Sequence, residues 1–227
     1  MIDQPIREGP GPEQEDAQNA ARVEAIFRDV GAYRDGHFKL KSGRHADRYI
    51  EKFQVLQWPA RVTELCRLMA DRAWSPGGVT AIDVVIGPTT GGVILAYEVA
   101  RQLGVRGIFA EQITAADGTT SRELRRGFEI RPGEKVLLVD DVVTTGASLV
   151  EMVPLIEQAG GELFLAIVLV DRTGELSSVE SPVTHQVYSA EALWSLSLPT
   201  YEAGDECPGC AAGAPLEAPG SSGLSVP

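Results

Sequence analysis

Cysteine is scarce in this chain, long apolar runs are absent, and positive charge is in deficit. Only Cys66, Cys207 and Cys210 carry thiols, and the middle of the chain is long enough to bury a core without disulfides or metals. The longest fully apolar run, LFLAIVLV at 163–170, falls far below the ~18 residues a membrane helix needs and suits a buried strand. Basic residues number 20 against 32 acidic ones, a formal net charge of -12. That excludes a sequence-independent nucleic-acid binder, which needs a basic face. It does not exclude a phosphate-bearing small molecule held by backbone amides and Mg²⁺. The polar, acidic first residues do not resemble a secretory signal, so a reducing, cytoplasmic location with no membrane partner is the expectation. There is no GxxxxGK[ST] run, which excludes a P-loop, and no internal repeat or helix-turn-helix signal.

Several segments alternate in a regular way. Residues 1–18 are rich in Pro, Gly, Gln and acids, and their composition predicts a disordered tail. Val23, Ile26, Phe27 and Val30 have helical spacing, predicting a first helix over 20–30. The segment 36–56 has alternating apolar positions and a Ser-Gly turn, predicting a hairpin or hood. A helix should start at Pro59 and run to about Ala73. From there strand, loop and helix repeat. AIDVVIGP, VRGIFAE, EKVLLVDD and ELFLAIVLVDR are strands, with QVYSAEAL a candidate fifth. Helices follow at GGVILAYEVARQLG, with a Gly stop, and at ASLVEMVPLIEQAGG, where Pro154 predicts a kink or early break. Continuous apolar strands alternating with helices make an α/β fold, a parallel sheet flanked by helices on both faces. The body spans 19–200, hood included. Between the second and third strands, the polar, Thr-rich segment from residue 111 to 126 predicts a mobile loop leading into a strand. The composition of 201–227, rich in Gly, Pro, Ala and Ser, predicts an irregular C-terminal segment.

The strongest functional signal is VLLVDDVVTTGAS at 136–148. A buried strand ends in two adjacent carboxylates, Asp140 and Asp141. Val142, Val143, Thr144, Thr145, Gly146, Ala147 and Ser148 then lead into a helix. Ligands of open α/β sheets bind at the carboxyl ends of strands. A loop of small residues entering a helix offers unpaired N–H groups and the positive end of the helix dipole, which suits a phosphate. The carboxylates repel phosphate but accept hydrogen bonds from sugar hydroxyls. The combination points to a 5-phosphoribose. A second strand-to-helix turn, IGPTTGGV at 86–93, again exposes amides to an anion on an adjacent parallel strand.

The 136–148 run resembles the phosphoribosyl pyrophosphate signature of the type I phosphoribosyltransferases. The resemblance implies that Asp140 and Asp141 hold the ribose 2′ and 3′ hydroxyls and that Thr144 to Ser148 hold the 5-phosphate. It implies that Thr89, Thr90, Gly91 and Gly92 contact pyrophosphate, in a loop that often carries a strained or cis peptide. Mg²⁺ is the expected cofactor, bridging pyrophosphate and ribose oxygens, with no protein metal ligand assigned. GHFKLKSGRHADRYI at 36–50 is similar to the hood motif of the orotate branch, which places Lys41 near orotate and pyrophosphate as a catalytic residue beside the acidic pair. LVDR at 169–172 matches the position where an Arg pairs with the orotate carboxylate, so Arg172, together with Thr144, is the candidate base-binding residue. A surface ion pair with Asp171 is the alternative for Arg172. The similarity extends from about residue 22 to about 220 and implies a type I phosphoribosyltransferase fold, phosphoribosyl pyrophosphate and orotate as substrates, and a homodimer.

The segment 112–126 departs from the family pattern, having no Lys and no His. Arg122, Arg125 and Arg126 are its candidates for neutralising phosphate, and for Arg125 and Arg126 a solvated strand-edge role is equally open. A phosphoribosyltransferase for another base, or a non-catalytic sensor of the sugar pyrophosphate, remains the alternative. CPGC at 207–210 suggests zinc by spacing, but the chain offers only Cys66 and three histidines besides. A plain turn is the expectation there, with His37 and His45 structural.

Overall fold

The computed structural model describes residues 12–75, 79–115 and 117–219. In chain order the elements are α1 (Pro12–Asp29), β1 (Tyr33–Lys39), β2 (His45–Ile50), α2 (Lys52–Leu56), α3 (Pro59–Asp71), β3 (Trp74–Ser75), β4 (Val79–Thr80), β5 (Val84–Pro88), α4 (Gly91–Leu103), β6 (Arg106–Thr114), β7 (Thr120–Leu124), β8 (Lys135–Val143), α5 (Ala147–Gln158), β9 (Glu162–Asp171), β10 (Ser178–Glu180), β11 (Val187–Ser195), β12 (Thr200–Tyr201) and α6 (Pro208–Ala211). The main sheet has seven strands in the order β10-β11-β9-β8-β5-β6-β7. Its five central strands are parallel, and both edge strands are antiparallel to their neighbours.

The α/β expectation holds, and the reason is visible residue by residue. Side chains alternate across a strand, so one set faces each layer of helices. Val85, Leu137, Val139, Leu165 and Ile167 pack with residues of α1, α3 and α4. Val84, Ile86, Leu138, Ala166 and Val168 pack with Leu149, Met152, Val153 and Ile156 of α5. Every residue of β5 is buried, as a strand covered on both faces must be. Gly104 ends α4 in the left-handed conformation with φ 72°, the stop predicted for it. The candidate fifth strand is β11, parallel to β9.

The hood is a small sheet of order β1-β2-β12. Its hairpin pairs Phe38 with Ala46 and Lys39 with His45. The short connection from Leu40 to Arg44 is closed by hydrogen bonds from Leu40 N to Arg44 O at 2.8 Å and from Gly43 N to Leu40 O at 2.9 Å.

The structure departs from the sequence expectations in four places. Residues 12–18 belong to α1 rather than to a disordered tail; residues 1–11 lie outside the described region. Glu13 and Glu15 in the first turn favour the helix dipole, and Asp16 pairs with Arg72, so a polar segment gains helical order from charge. Second, the expected loop at 111–126 is largely a hairpin. Strand β6 runs on to Thr114 and turns back into β7, pairing Ala110 with Leu124 and Thr114 with Thr120. Asp117 builds the turn by accepting hydrogen bonds from Thr119 N at 2.9 Å and Thr119 Oγ1 at 2.7 Å. Third, α5 continues four residues past Pro154 to Gln158. The acceptor that loses its partner is the carbonyl of Val150, on an exposed stretch of the helix. Fourth, 200–219, irregular over most of its length as expected, is nevertheless tied down as a strap. Thr200 and Tyr201 pair with Ala46 and His45. Further on, Lys39 N donates to Glu217 O at 2.7 Å, and Glu217 N donates to His37 O at 2.8 Å. Residues 220–227 lie outside the described region.

Among the described residues no helix is long and apolar enough to cross a membrane. Trp194 joins the hood to the main sheet: its ring meets Phe27 of α1 at 5.8 Å and Tyr33 of β1 at 5.1 Å, both edge-on. Phe27 is fully buried. Replacing it with Ala should cost about 3–5 kcal/mol of stability in a denaturant titration, the range for a buried aromatic. A loss below about 1 kcal/mol would mean that this joint is not part of the core.

Candidate active site

The carboxyl end of β8 carries Asp140 and Asp141 into the interior, 5% and 2% exposed. Two adjacent carboxylates in such a place need donors, and the structure supplies them. Asp140 Oδ1 accepts from Asp141 N at 2.8 Å, and its Oδ2 accepts from Ser148 Oγ at 2.8 Å. Asp141 Oδ1 accepts from Val142 N at 2.6 Å. The Lys52 ammonium lies 2.9 Å from each oxygen of Asp141. Burial, and then the charge of Asp141, push the Asp140 carboxyl above the usual range; Ser148, the Asp141 amide and Lys52 oppose this.

Between β8 and α5 the chain bends at Gly146, whose φ of 79° is open to glycine at little cost. The amides of Thr144, Thr145 and Gly146 donate to no described residue. Thr144, Thr145 and Ala147 are exposed. Together with the start of the 12-residue α5, this is an anion cradle.

The turn after β5 lies beside it. The Thr89–Thr90 peptide is cis. A Cβ on Gly87 would stand 2.2 Å from Gly92 O, and one on Gly91 would stand 1.7 Å from Asp141 Oδ2. Glycine at 91 is therefore required for the second turn to sit against the acidic pair. Arg122, on the hairpin arm β7, is tied to this turn as well. It donates to Thr89 O at 3.3 Å and, from Nε, to Glu151 of α5 at 3.0 Å. Its side chain is 8% exposed, so it is not a solvated edge residue. Arg126 pairs with Glu111 at 2.6 Å, and Arg125 is exposed.

Arg172 follows β9. Its amide donates to Val143 O at 2.9 Å, which sets it beside the anion cradle. Its guanidinium Nε is buried and has no hydrogen-bond partner among the described residues. Burial pulls its pKa below the usual range, and Tyr49 opposes that. The alternative of an ion pair with Asp171 is not realised. Asp171 accepts instead from Thr173 N at 2.8 Å, Thr173 Oγ1 at 2.7 Å and Leu176 N at 2.9 Å. Burial pushes the Asp171 carboxyl up, but these donors outweigh it and hold it below the usual range.

Asp140, Asp141, Ser148 and Gly91 are thus brought into contact, with Thr89 and Arg172 alongside. Lys41 stands apart, exposed at the tip of the hood hairpin. Its neighbour Arg44 is committed to the strap, donating from Nε to Thr200 Oγ1 at 2.8 Å and from a terminal nitrogen to Thr200 O at 2.7 Å. Sequence reasoning missed Lys52, which has no local motif. The signal that could have found it is energetic: a buried carboxylate pair requires a counter-ion.

The model of the family described as "Phosphoribosyl transferase domain" matches residues 53–196. The orotate phosphoribosyltransferase of Pelotomaculum thermopropionicum is 45% identical over 199 residues, covering 88% of this chain and 96% of that protein. That of Desulforamulus reducens is 41% identical over 203 residues, covering 89% and 97%. Among solved structures, orotate phosphoribosyltransferase from Aeropyrum pernix is similar with a TM-score of 0.55 at 25% identity, covering 74% of this chain and 93% of that one. With an amide-lined loop and a glycine-bearing turn against a buried acidic pair, and relatives matched over nearly their whole length, the chain belongs to the phosphoribosyl transferase domain family, in its orotate phosphoribosyltransferase branch.

Proposed function

We infer that this chain transfers the 5-phosphoribosyl group of phosphoribosyl pyrophosphate to orotate, giving orotidine 5′-phosphate and pyrophosphate. The observation that carries the reading is the buried pair Asp140–Asp141 beside the unpaired amides of Thr144, Thr145 and Gly146. We assign the ribose diol to the two carboxylates. The 5-phosphate goes to the loop from Val142 and Val143 through Ser148, and the pyrophosphate to Thr89, Thr90, Gly91 and Gly92. Orotate goes to Arg172 and Thr144. The orphaned Nε of Arg172 supports this, since a planar carboxylate would satisfy it and a neutral purine would not. Lys41, uncommitted at the hood tip, is assigned to orotate and pyrophosphate on the family resemblance.

In the reaction the bond from C1 to the pyrophosphate oxygen breaks and its electron pair leaves with pyrophosphate, while a ring nitrogen of orotate gives up its N–H proton to the departing pyrophosphate or to water and bonds to C1. C1 gains cationic character on the way, so the protein acts by positioning and electrostatics. The carboxylates hold the ring, and the amides and Arg122 face the anionic ends. The oxygen-rich donor set of carboxylates and threonine hydroxyls fits Mg²⁺. Asp140 and Asp141 would lie nearest to it, and when bound it would offset the charge of the departing pyrophosphate. A homodimer is proposed as the assembly; the exposed Trp58 at the N-cap of α3, with Ile94 and Tyr97 of α4, supports it.

Asp140→Asn should cut kcat/KM for phosphoribosyl pyrophosphate by at least about 100-fold, two hydrogen bonds to a charged group being worth about 3 kcal/mol. The same change should stabilise the ligand-free protein by about 1 kcal/mol, because it removes one of two buried like charges. Unchanged turnover would sink the sugar assignment. Because the Asp140 carboxyl is raised, its protonated form appears at higher pH than for an ordinary Asp. Affinity for the sugar pyrophosphate should therefore fall on acidification while ordinary carboxylates are still ionised. This acid limb should be missing in Asp140→Asn, measured by calorimetry. Arg172→Ala should raise the KM for orotate by about 10–100-fold, the cost of a lost charged hydrogen bond, with little effect on the cosubstrate. Equal effects on both would remove Arg172 from the base site.

A further inference from the structure

The four residues that sequence spacing left apart form a second constellation, remote in sequence and unused by the transfer reaction. His37 lies buried near the end of β1, and His45 opens β2; the hairpin tip lies between them. Cys207 and Cys210 flank the first turn of α6. One ligand atom from each residue lies within 4.8 Å of all the others. His37 Nε2 is 2.9 Å from His45 Nδ1, 3.4 Å from Cys207 Sγ and 3.6 Å from Cys210 Sγ, and Cys210 Sγ is 3.2 Å from His45 Nδ1.

We propose that His37 Nε2, His45 Nδ1, Cys207 Sγ and Cys210 Sγ form a closed tetrahedral zinc site. With Zn–N of about 2.0–2.1 Å and Zn–S of about 2.3 Å, a tetrahedron has N–N edges of roughly 3.3 Å and N–S edges of roughly 3.6 Å. Four of the six edges fall close to those values and all six lie within 4.8 Å, so the ligand atoms need only close around the ion. His37, His45 and Cys207 are 5%, 5% and 1% exposed, as a structural rather than catalytic site requires. The outer shell is in place too. His37 Nδ1 lies 3.0 Å from Ala214 O; donating there leaves the Nε2 lone pair free for a metal. A Cβ on Gly209 would stand 2.4 Å from the His37 ring, so glycine between the cysteines lets the thiols close over the histidines. Neither cysteine is in a disulfide. Two nitrogens and two thiols in one buried pocket, with no carboxylate among them, are the donor set that zinc selects. The ion joins the hairpin to the strap and holds both strands at the base of the tip that bears Lys41.

The full chain, purified without chelator, should carry about one zinc per chain by elemental analysis. Cys207→Ser and Cys210→Ser should each lose at least about nine-tenths of it, while Cys66→Ala, outside the cluster, should keep it. If the serine variants fail to fold, the unmodified protein answers the question. Stripped under reducing conditions and reloaded with Co²⁺, it should show intense tetrahedral d–d absorption and thiolate-to-metal charge transfer. Metal removal should also lower Tm by about 10 °C. The proposal is overturned by a metal-free protein that takes up neither Zn²⁺ nor Co²⁺. It is equally overturned by zinc retained in both folded serine variants, or by a Cys207–Cys210 disulfide in protein purified under reducing conditions.

Discussion

The constraint on which this structure depends is the burial of two neighbouring carboxylates at the end of the central strand. Asp140 and Asp141 cannot share a dry place with only each other. Each lies among donors: the backbone of β8 itself, Ser148 from the helix after the loop, and Lys52 from the start of α2 just after the hood. The raised pKa of Asp140 records that the balance is incomplete. A site that meets its own needs only partly leaves acceptor capacity for a ligand, and in the proposed assignment a ribose diol would supply the missing donors without adding charge.

Glycine makes the second half of the site compatible with the first. At residue 91 any side chain would collide with Asp141, and at 87 it would collide with the backbone of Gly92. The turn after β5 can lie against the acidic pair because no side chain intervenes. The sheet sets their separation, since β5 and β8 are hydrogen-bonded neighbours with Ile86 opposite Leu138. The hairpin arm adds Arg122, clamped between the first turn and α5. This arm lacks the Lys and His of the family pattern, but its one buried cation is tied to the turn after β5 and to α5.

Much was legible before any coordinates. The strands β5, β8 and β9 are short apolar runs with turn residues at their ends, a local signal that packing reinforced. The run from Asp140 to Ser148 announced its chemistry because every part of it is contiguous. Three things were not legible, for different reasons. The order of residues 12–18 comes from a dipole and a pairing with Arg72 across space. The hairpin at 106–124 comes from adding a strand to a sheet edge, which a polar, Thr-rich composition disguises. The strap at 200–219 is ordered by backbone hydrogen bonds to Lys39 and His37, which leave no mark on side-chain pattern.

The sequence by itself determined the α/β alternation, the two strand-to-helix turns and the acidic pair, because each depends on residues a few positions apart. Only the tertiary structure decided that Lys52 is the counter-ion of Asp141, that Arg172 keeps an unpaired Nε, and that two histidines meet two cysteines more than 160 residues later. The physical reason is the range of the interactions. Propensity and periodicity act along the chain. Charge compensation, metal-ligand geometry and the satisfaction of buried donors act across space, and they exist only once the fold has brought their partners together.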